Sequence, residues 1–190
     1  YDGATSNRPG ARLGPRAIRA ASVELGSGDS FPYGGNPFAV LPTVDWGDLY
    51  LEPQLPHRVA DDIVTGASEI LDAGVRLLAL GGDHFVSLPL LEAHARTHGP
   101  LALIQFDAHS DTWPDDGARN DHGTMFRRAV ETGIIDPDRS IHVGIRSHNP
   151  HAHGIEVLTA PTVHRAGVDA AVAAIARRVG GAKAYLTFDI

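Results

Sequence analysis

Short apolar runs of strand length alternate along this chain with amphipathic stretches of helix length. Each run is followed at once by polar or glycine-rich residues, as is typical of buried strands in parallel sheets. The alternation predicts βαβ units, and therefore a three-layer α/β/α fold with a mainly parallel sheet between two layers of helices. Five strands are predicted, at Phe38–Val44, Arg76–Leu80, Leu101–Phe106, Ile141–Ile145 and Ala184–Ile190.

The stretches between these runs have the apolar spacing of helices that cover a sheet. The longest places Val59, Ile63, Ala67 and Ile70 on one stripe, which indicates a single core-facing side. No repeat or linker interrupts the 190 residues, so we expect one domain. Helices are predicted at Pro15–Ser22, His57–Ala73, Val86–Thr97, Thr124–Glu131 and Val168–Val179.

Composition and charge exclude several classes of protein. The formal net charge is −7 at pH 7, whereas a nucleic-acid groove needs a basic face. No window approaches the roughly 18 consecutive apolar residues of a membrane span, and the first residues lack the pattern of a signal peptide. The absence of Cys leaves only oxygen and imidazole ligands for a metal. We expect a cytoplasmic protein that binds neither nucleic acid nor membrane and whose acidic balance suits a cationic small molecule.

Metal-ligating residue types follow three of the predicted strands, where ligands of open parallel sheets bind. Asp107, His109 and Asp111 lie at alternate positions, so an extended chain would point all three side chains the same way. An isolated DxHxD motif is as often a solvated loop or a helix cap as it is a metal site. His84 and Asp189, at two other strand ends, favour a metal site instead.

The ligand types indicate which metal would bind. Converging carboxylates repel one another unless a cation neutralises them, and a carboxylate-bridged pair of divalent ions does so economically. Carboxylates with few imidazoles and no sulfur favour Mn(II), with Co(II), Ni(II), Fe(II) or Zn(II) as alternatives. His122, which follows the loop leaving the second of these strands, is a candidate proton shuttle, although a lone His in this position is more often a cap or a surface residue.

Four motifs resemble, in order and spacing, those of the ureohydrolases, the manganese enzymes that include arginase and agmatinase. They are GGDH at 81–84, FDAHSD at 106–111, DHGTMF at 121–126 and TFDI at 187–190. The segment SNRPGARLGPRAIR at 6–19 is also similar to the early loop and first helix of the family. The resemblance therefore covers essentially the whole chain. It implies an arginase-like fold, and within the family the motifs look most similar to those of agmatinase.

The resemblance implies two Mn(II) ions at the end of the sheet. One ion would be bound by His84, Asp107, Asp111 and Asp189. The other would be bound by Asp107, His109, Asp189 and one further carboxylate, so that Asp107 and Asp189 bridge the pair. The full-length protein would be a homo-oligomer, as ureohydrolases usually are.

The reaction implied is hydrolysis of a linear guanidino compound. A hydroxide that bridges the metals would attack the guanidinium carbon, Asp111 would help to orient it, and His122 would carry a proton to the leaving amine. Agmatine is the first expected substrate and would give putrescine and urea. Guanidinobutyrate and guanidinopropionate are the alternatives.

The family motif continues after FDI to a second Asp, whereas this chain stops at Ile190. We therefore expect residues 1–190 to be a single incomplete ureohydrolase catalytic domain, and expect little or no activity from this fragment alone. An inactive metal-binding remnant is an alternative from another class. A deacetylase-type amidohydrolase with one zinc is a third, although retention of both His84 and His109 argues for two metals.

Overall fold

The computed structural model describes residues 1–25, 29, 31–32, 34–52, 54–115 and 119–190. In this part of the chain a parallel sheet runs in the order β3-β2-β1-β4. Its strands are β1 (Ala102–Phe106), β2 (Ile141–Ile145), β3 (Glu156–Thr159) and β4 (Ala184–Phe188). The α-helices are α1 (Gly14–Ser22), α2 (Pro37–Val40), α3 (Val59–Asp72), α4 (Ser87–His98), α5 (Met125–Glu131), α6 (Ala160–Ala166) and α7 (Val168–Val179).

Helices cover both faces of the sheet. On one face Leu103 of β1 belongs to a buried cluster with Leu91 of α4 and Phe126 of α5, and α3 packs beside α4. On the other face Ile104 packs against a cluster that contains Ala174 of α7. The predicted three-layer α/β/α architecture with a parallel sheet is therefore confirmed. Within the described ranges no helix is long and apolar enough to cross a membrane.

The predicted strand Phe38–Val44 is wrong. Residues 37–40 form the short helix α2, and residues 42–50 have no regular secondary structure. The helix begins there because the Asn36 side chain accepts a hydrogen bond from the Phe38 backbone N–H at 2.9 Å, and Pro37 suits the first helical position. These local signals outweigh the apolar composition of the run.

The predicted strand Arg76–Leu80 is also absent, and Leu78 is 83% exposed. A strand needs a neighbour for its backbone N–H and C=O groups. Among the described residues no strand pairs with this segment. Conversely, β3 was not predicted, because its sequence EVLT is an edge strand with alternating exposure rather than a continuous apolar run. The helix α6 that follows β3 was missed as well.

The N-terminal residues pack directly on the GGDH segment. The Asp83 backbone N–H donates to the Tyr1 carbonyl oxygen at 2.7 Å. The buried carboxylate of Asp2 accepts a hydrogen bond from the Gly10 N–H at 2.6 Å. A Cβ on Gly82 would collide with the Tyr1 carbonyl oxygen and lie only 2.9 Å from the Ala11 carbonyl carbon. Only glycine fits at position 82 without moving backbone next to His84.

Gly82→Ala is expected to destabilise the protein by about 1–3 kcal/mol, because backbone atoms must shift to accommodate the methyl group. Gly181→Ala is the matched control, since a Cβ there meets no atom within 4 Å. The free energy of unfolding of both variants, measured by denaturant titration, checks this. Equal effects of the two substitutions would contradict it.

Candidate metal centre

The sheet brings the sequence-predicted ligands to one end. Asp107 directly follows β1 and Asp189 directly follows β4, and the Asp189 N–H donates to the Phe106 carbonyl oxygen at 2.9 Å. His84 comes from a third element, the short 3-10 turn His84–Val86 that leads into α4. The Asp83 side chain caps this turn by accepting the Phe85 N–H. These three ligands are therefore each positioned by the end of a regular element.

The Nδ1 atom of His84 lies among three carboxylates. It is 2.9 Å from Asp111 Oδ2, 3.2 Å from Asp107 Oδ2 and 3.3 Å from Asp189 Oδ2. His84, Asp107 and Asp111 each offer a ligand atom within 4.8 Å of the others. The structure thus brings together four of the five predicted ligands around one point.

The two nitrogens of His84 have different surroundings. Nε2 lies 2.9 Å from the Thr187 hydroxyl oxygen on β4. Nδ1 is buried and, within the described part of the chain, has no hydrogen bond of acceptable geometry. A metal-binding His has this arrangement, because one nitrogen binds the ion while a hydrogen bond orients the other. The orphaned Nδ1 therefore fits a metal ion.

The charges of this group also fit a cation. Burial alone would lower the pKa of His84, but the carboxylates of Asp107, Asp111 and Asp189 raise it to about 11. Burial raises the pKa of Asp111 to about 6, against the opposing effect of His84. Burial likewise raises the pKa of Asp107, but the adjacent His84 imidazole and the N–H donors of His109 and Gln105 leave it below its usual value. Nearby positive charge thus stabilises the clustered carboxylates, and a divalent ion would supply such charge.

His109 stands apart from this group. Its Nδ1 lies 3.4 Å from Asp107 Oδ1, the oxygen other than the one that faces His84, and its side chain is 57% exposed. Asp107 therefore presents one oxygen to each imidazole. This arrangement suits a carboxylate shared by two ions.

The expectation that the segment 107–111 is extended is wrong, because the carboxylates of Asp107 and Asp111 converge through a turn. Asp111 has a positive φ of 51°, and Asp107 Oδ1 accepts the His109 backbone N–H at 2.8 Å. Sequence reasoning also missed Gln105, whose side-chain amide donates to Asp107 Oδ2 at 2.7 Å and to Asp111 Oδ2 at 3.1 Å. The available signal was a single amide in the otherwise apolar strand ALIQF.

His122 lies on the wall of the same cavity, which has a volume of about 380 Å³. Its Nδ1 is 3.5 Å from Asp83 Oδ1 and its Nε2 is 3.0 Å from the Ser6 hydroxyl oxygen. The neighbouring Asp83 carboxylate raises the pKa of His122. The other lining residues are Thr5, Ala11, Gly82, Asp83, His84, His109, Asp111, Trp113, Gly123 and Asp189.

Comparison with known sequences gives relatives over nearly the whole chain. Agmatinase of Chromobacterium violaceum is 50% identical over 185 residues, which cover 96% of this chain and 58% of that protein. Agmatinase of Neisseria meningitidis serogroup C is 47% identical and is matched by all of this chain and over 62% of its own length. The chain thus spans about three fifths of these relatives.

Solved structures agree in fold. A hypothetical agmatinase from Burkholderia thailandensis superposes with a TM-score of 0.96 at 50% identity, covering 99% of this chain and 60% of that one. Proclavaminate amidino hydrolase from Streptomyces clavuligerus gives a TM-score of 0.87 at 37% identity, covering 100% and 65%. The sequence model of the arginase family matches residues 1–190, and the chain therefore belongs to the arginase family.

Proposed function

We propose that the protein hydrolyses a linear guanidino compound, with agmatine as first substrate, to urea and an amine, using two Mn(II) ions. The observation that carries the proposal is the buried Nδ1 of His84 among three carboxylates at the strand ends. The agmatine assignment is supported by relatives named agmatinase at 43–50% identity.

Five side chains would hold the ions. His84 Nδ1, Asp107, Asp111 and Asp189 would hold one ion, and His109 would hold the other together with Asp107 and Asp189. When bound, a divalent pair lowers the pKa of a shared water and so supplies a strong nucleophile near neutral pH. Oxygen-rich ligands with two imidazoles and no sulfur suit Mn(II).

His122 would perform the proton transfer. A guanidinium carbon is resonance-stabilised, and its C–N bond breaks readily only if the departing nitrogen receives a proton. Asp111 would accept a hydrogen bond that orients the attacking water, and the imidazolium of His122 would donate its proton to the leaving amine. Asp83 favours the protonated form of His122 because its carboxylate lies beside Nδ1.

The cavity suits a cationic substrate with an apolar chain. Carboxylates of Asp83, Asp111 and Asp189 line it, and the Trp113 ring lies beside His109 with a centroid distance of 6.4 Å. The formal net charge of −7 favours the approach of a cation, and the indole offers an apolar surface to a methylene chain. Agmatine combines these two features.

Removal of His84 is expected to weaken Mn(II) binding. His84→Asn should lower the affinity for at least one ion by about 100-fold or more, since loss of a direct ligand exceeds the 10–100-fold effect typical of outer-shell changes. Calorimetric titration of metal-depleted protein, expressed from its complete reading frame, checks this. His98→Asn, at an exposed His on α4, is the control and should bind as the unaltered protein does. Unchanged affinity in His84→Asn would contradict the ligand assignment.

Urea release from agmatine, guanidinobutyrate and arginine by the manganese-loaded protein tests the reaction. We expect agmatine to give the highest kcat/KM.

His122→Asn should lower kcat by about 10²–10⁴-fold, the usual contribution of a general acid, while metal content stays unchanged. No urea from any of the three compounds at two manganese ions per chain would refute the proposed reaction, and a His122→Asn enzyme of normal kcat would refute the role of His122.

A further inference from the structure

A buried amide lies beneath the carboxylates of the candidate metal centre. Gln105 is fully buried in β1, and its side-chain Nε2 donates to Asp107 Oδ2 at 2.7 Å, to Asp111 Oδ2 at 3.1 Å and to the His109 carbonyl oxygen at 3.1 Å. One amide thus contacts three residues of the turn that carries the ligands. Because its donors face only acceptors, the amide nitrogen is oriented toward the metal centre.

The other end of this amide has no hydrogen-bond partner among the described residues. A potential donor that also lacks a partner among these residues lies on the neighbouring strand. His142 of β2 pairs in register with Gln105, so in this parallel sheet the two side chains lie on the same face. His142 is also fully buried, and within the described ranges neither of its ring nitrogens has a partner.

Unpaired buried polar groups are costly, and they are normally satisfied by protein or by buried water. An acceptor and an N–H donor on adjacent strands are the groups that one water can bridge. His142 is not among the described residues whose ligand atoms converge at the centre, which are His84, Asp107 and Asp111.

We propose that Gln105 and His142 form a positioning pair beneath the metal centre. The amide of Gln105 holds the carboxylates of Asp107 and Asp111 where the ion needs them, and the imidazole N–H of His142 holds Oε1 of Gln105 through a buried water. The pair touches neither substrate nor ion. This inference rests on the proposed metal centre.

The test measures Mn(II) affinity of metal-depleted protein, expressed from its complete reading frame, by calorimetric titration. Gln105→Met keeps the length of the side chain and removes the amide, and it should weaken binding by about 10–100-fold. His142→Leu should weaken it by a smaller factor, and His142→Gln, which retains an N–H donor, should restore it. The double variant Gln105→Met/His142→Leu should bind no more weakly than Gln105→Met alone, because both changes act on one contact.

Ser140→Ala separates this role from a loss of stability. Ser140 is another buried polar residue, which accepts the Leu103 N–H at 2.8 Å and donates to the Asp136 carbonyl oxygen at 2.6 Å, at the opposite end of β1. It should lower the free energy of unfolding and leave Mn(II) affinity unchanged.

Mn(II) affinity within about twofold of the unaltered protein in both Gln105→Met and His142→Leu would overturn the proposal, because outer-shell partners of metal ligands change affinity by more than this. If Gln105→Met does not fold, the comparison of His142→Leu with His142→Gln decides, and equal affinities of these two variants overturn it. An unaltered protein that binds no Mn(II) would instead refute the proposed function and the inference with it.

Discussion

Asp107 and Asp111 hold carboxylates in buried positions, and an uncompensated ion in such a place costs several kcal/mol. Much of the surrounding structure offsets this cost. His84 approaches from one side on its short turn, Gln105 donates from below, and the Asp107 carboxylate also accepts a backbone N–H. The site thus concentrates negative charge that the fold stabilises only in part. A bound cation would neutralise the remainder.

The positions of Asp107 and Asp189 could be predicted from the sequence, because parallel strands place their carboxyl ends at one edge. His84 was predicted as a partner at a strand end, but the strand before it is absent, and it reaches the site on a 3-10 turn. The local geometry was not predictable in the same way. Side-chain alternation assumes an extended backbone, whereas the positive φ of Asp111 turns its carboxylate toward His84.

The errors in the sheet all involve backbone pairing, in addition to the helix-start signals of Asn36 and Pro37 at Phe38–Val44. An apolar run becomes a strand only if a neighbour satisfies its backbone, and neither Phe38–Val44 nor Arg76–Leu80 has one among the described residues. The edge strand β3 has the opposite property, since Ile141 and Val143 of β2 supply its pairing although its own sequence is half polar. Strand pairing depends on the whole sheet, so the sequence of a single segment indicates it only weakly. The assignment of residues 1–190 to a single domain stays a prediction.

The register of β4 against β1 links the candidate metal centre to strand pairing. Thr187 and Asp189 are two residues apart and belong to the same side of the chain, where one orients His84 and the other adds a carboxylate. A slip of one residue would turn both to the opposite face of the sheet. Binding of an ion would then favour the chain whose strands are correctly aligned, because only that alignment completes the ligand set. A bound metal ion would therefore stabilise the correct register of the sheet, in addition to any role in the reaction.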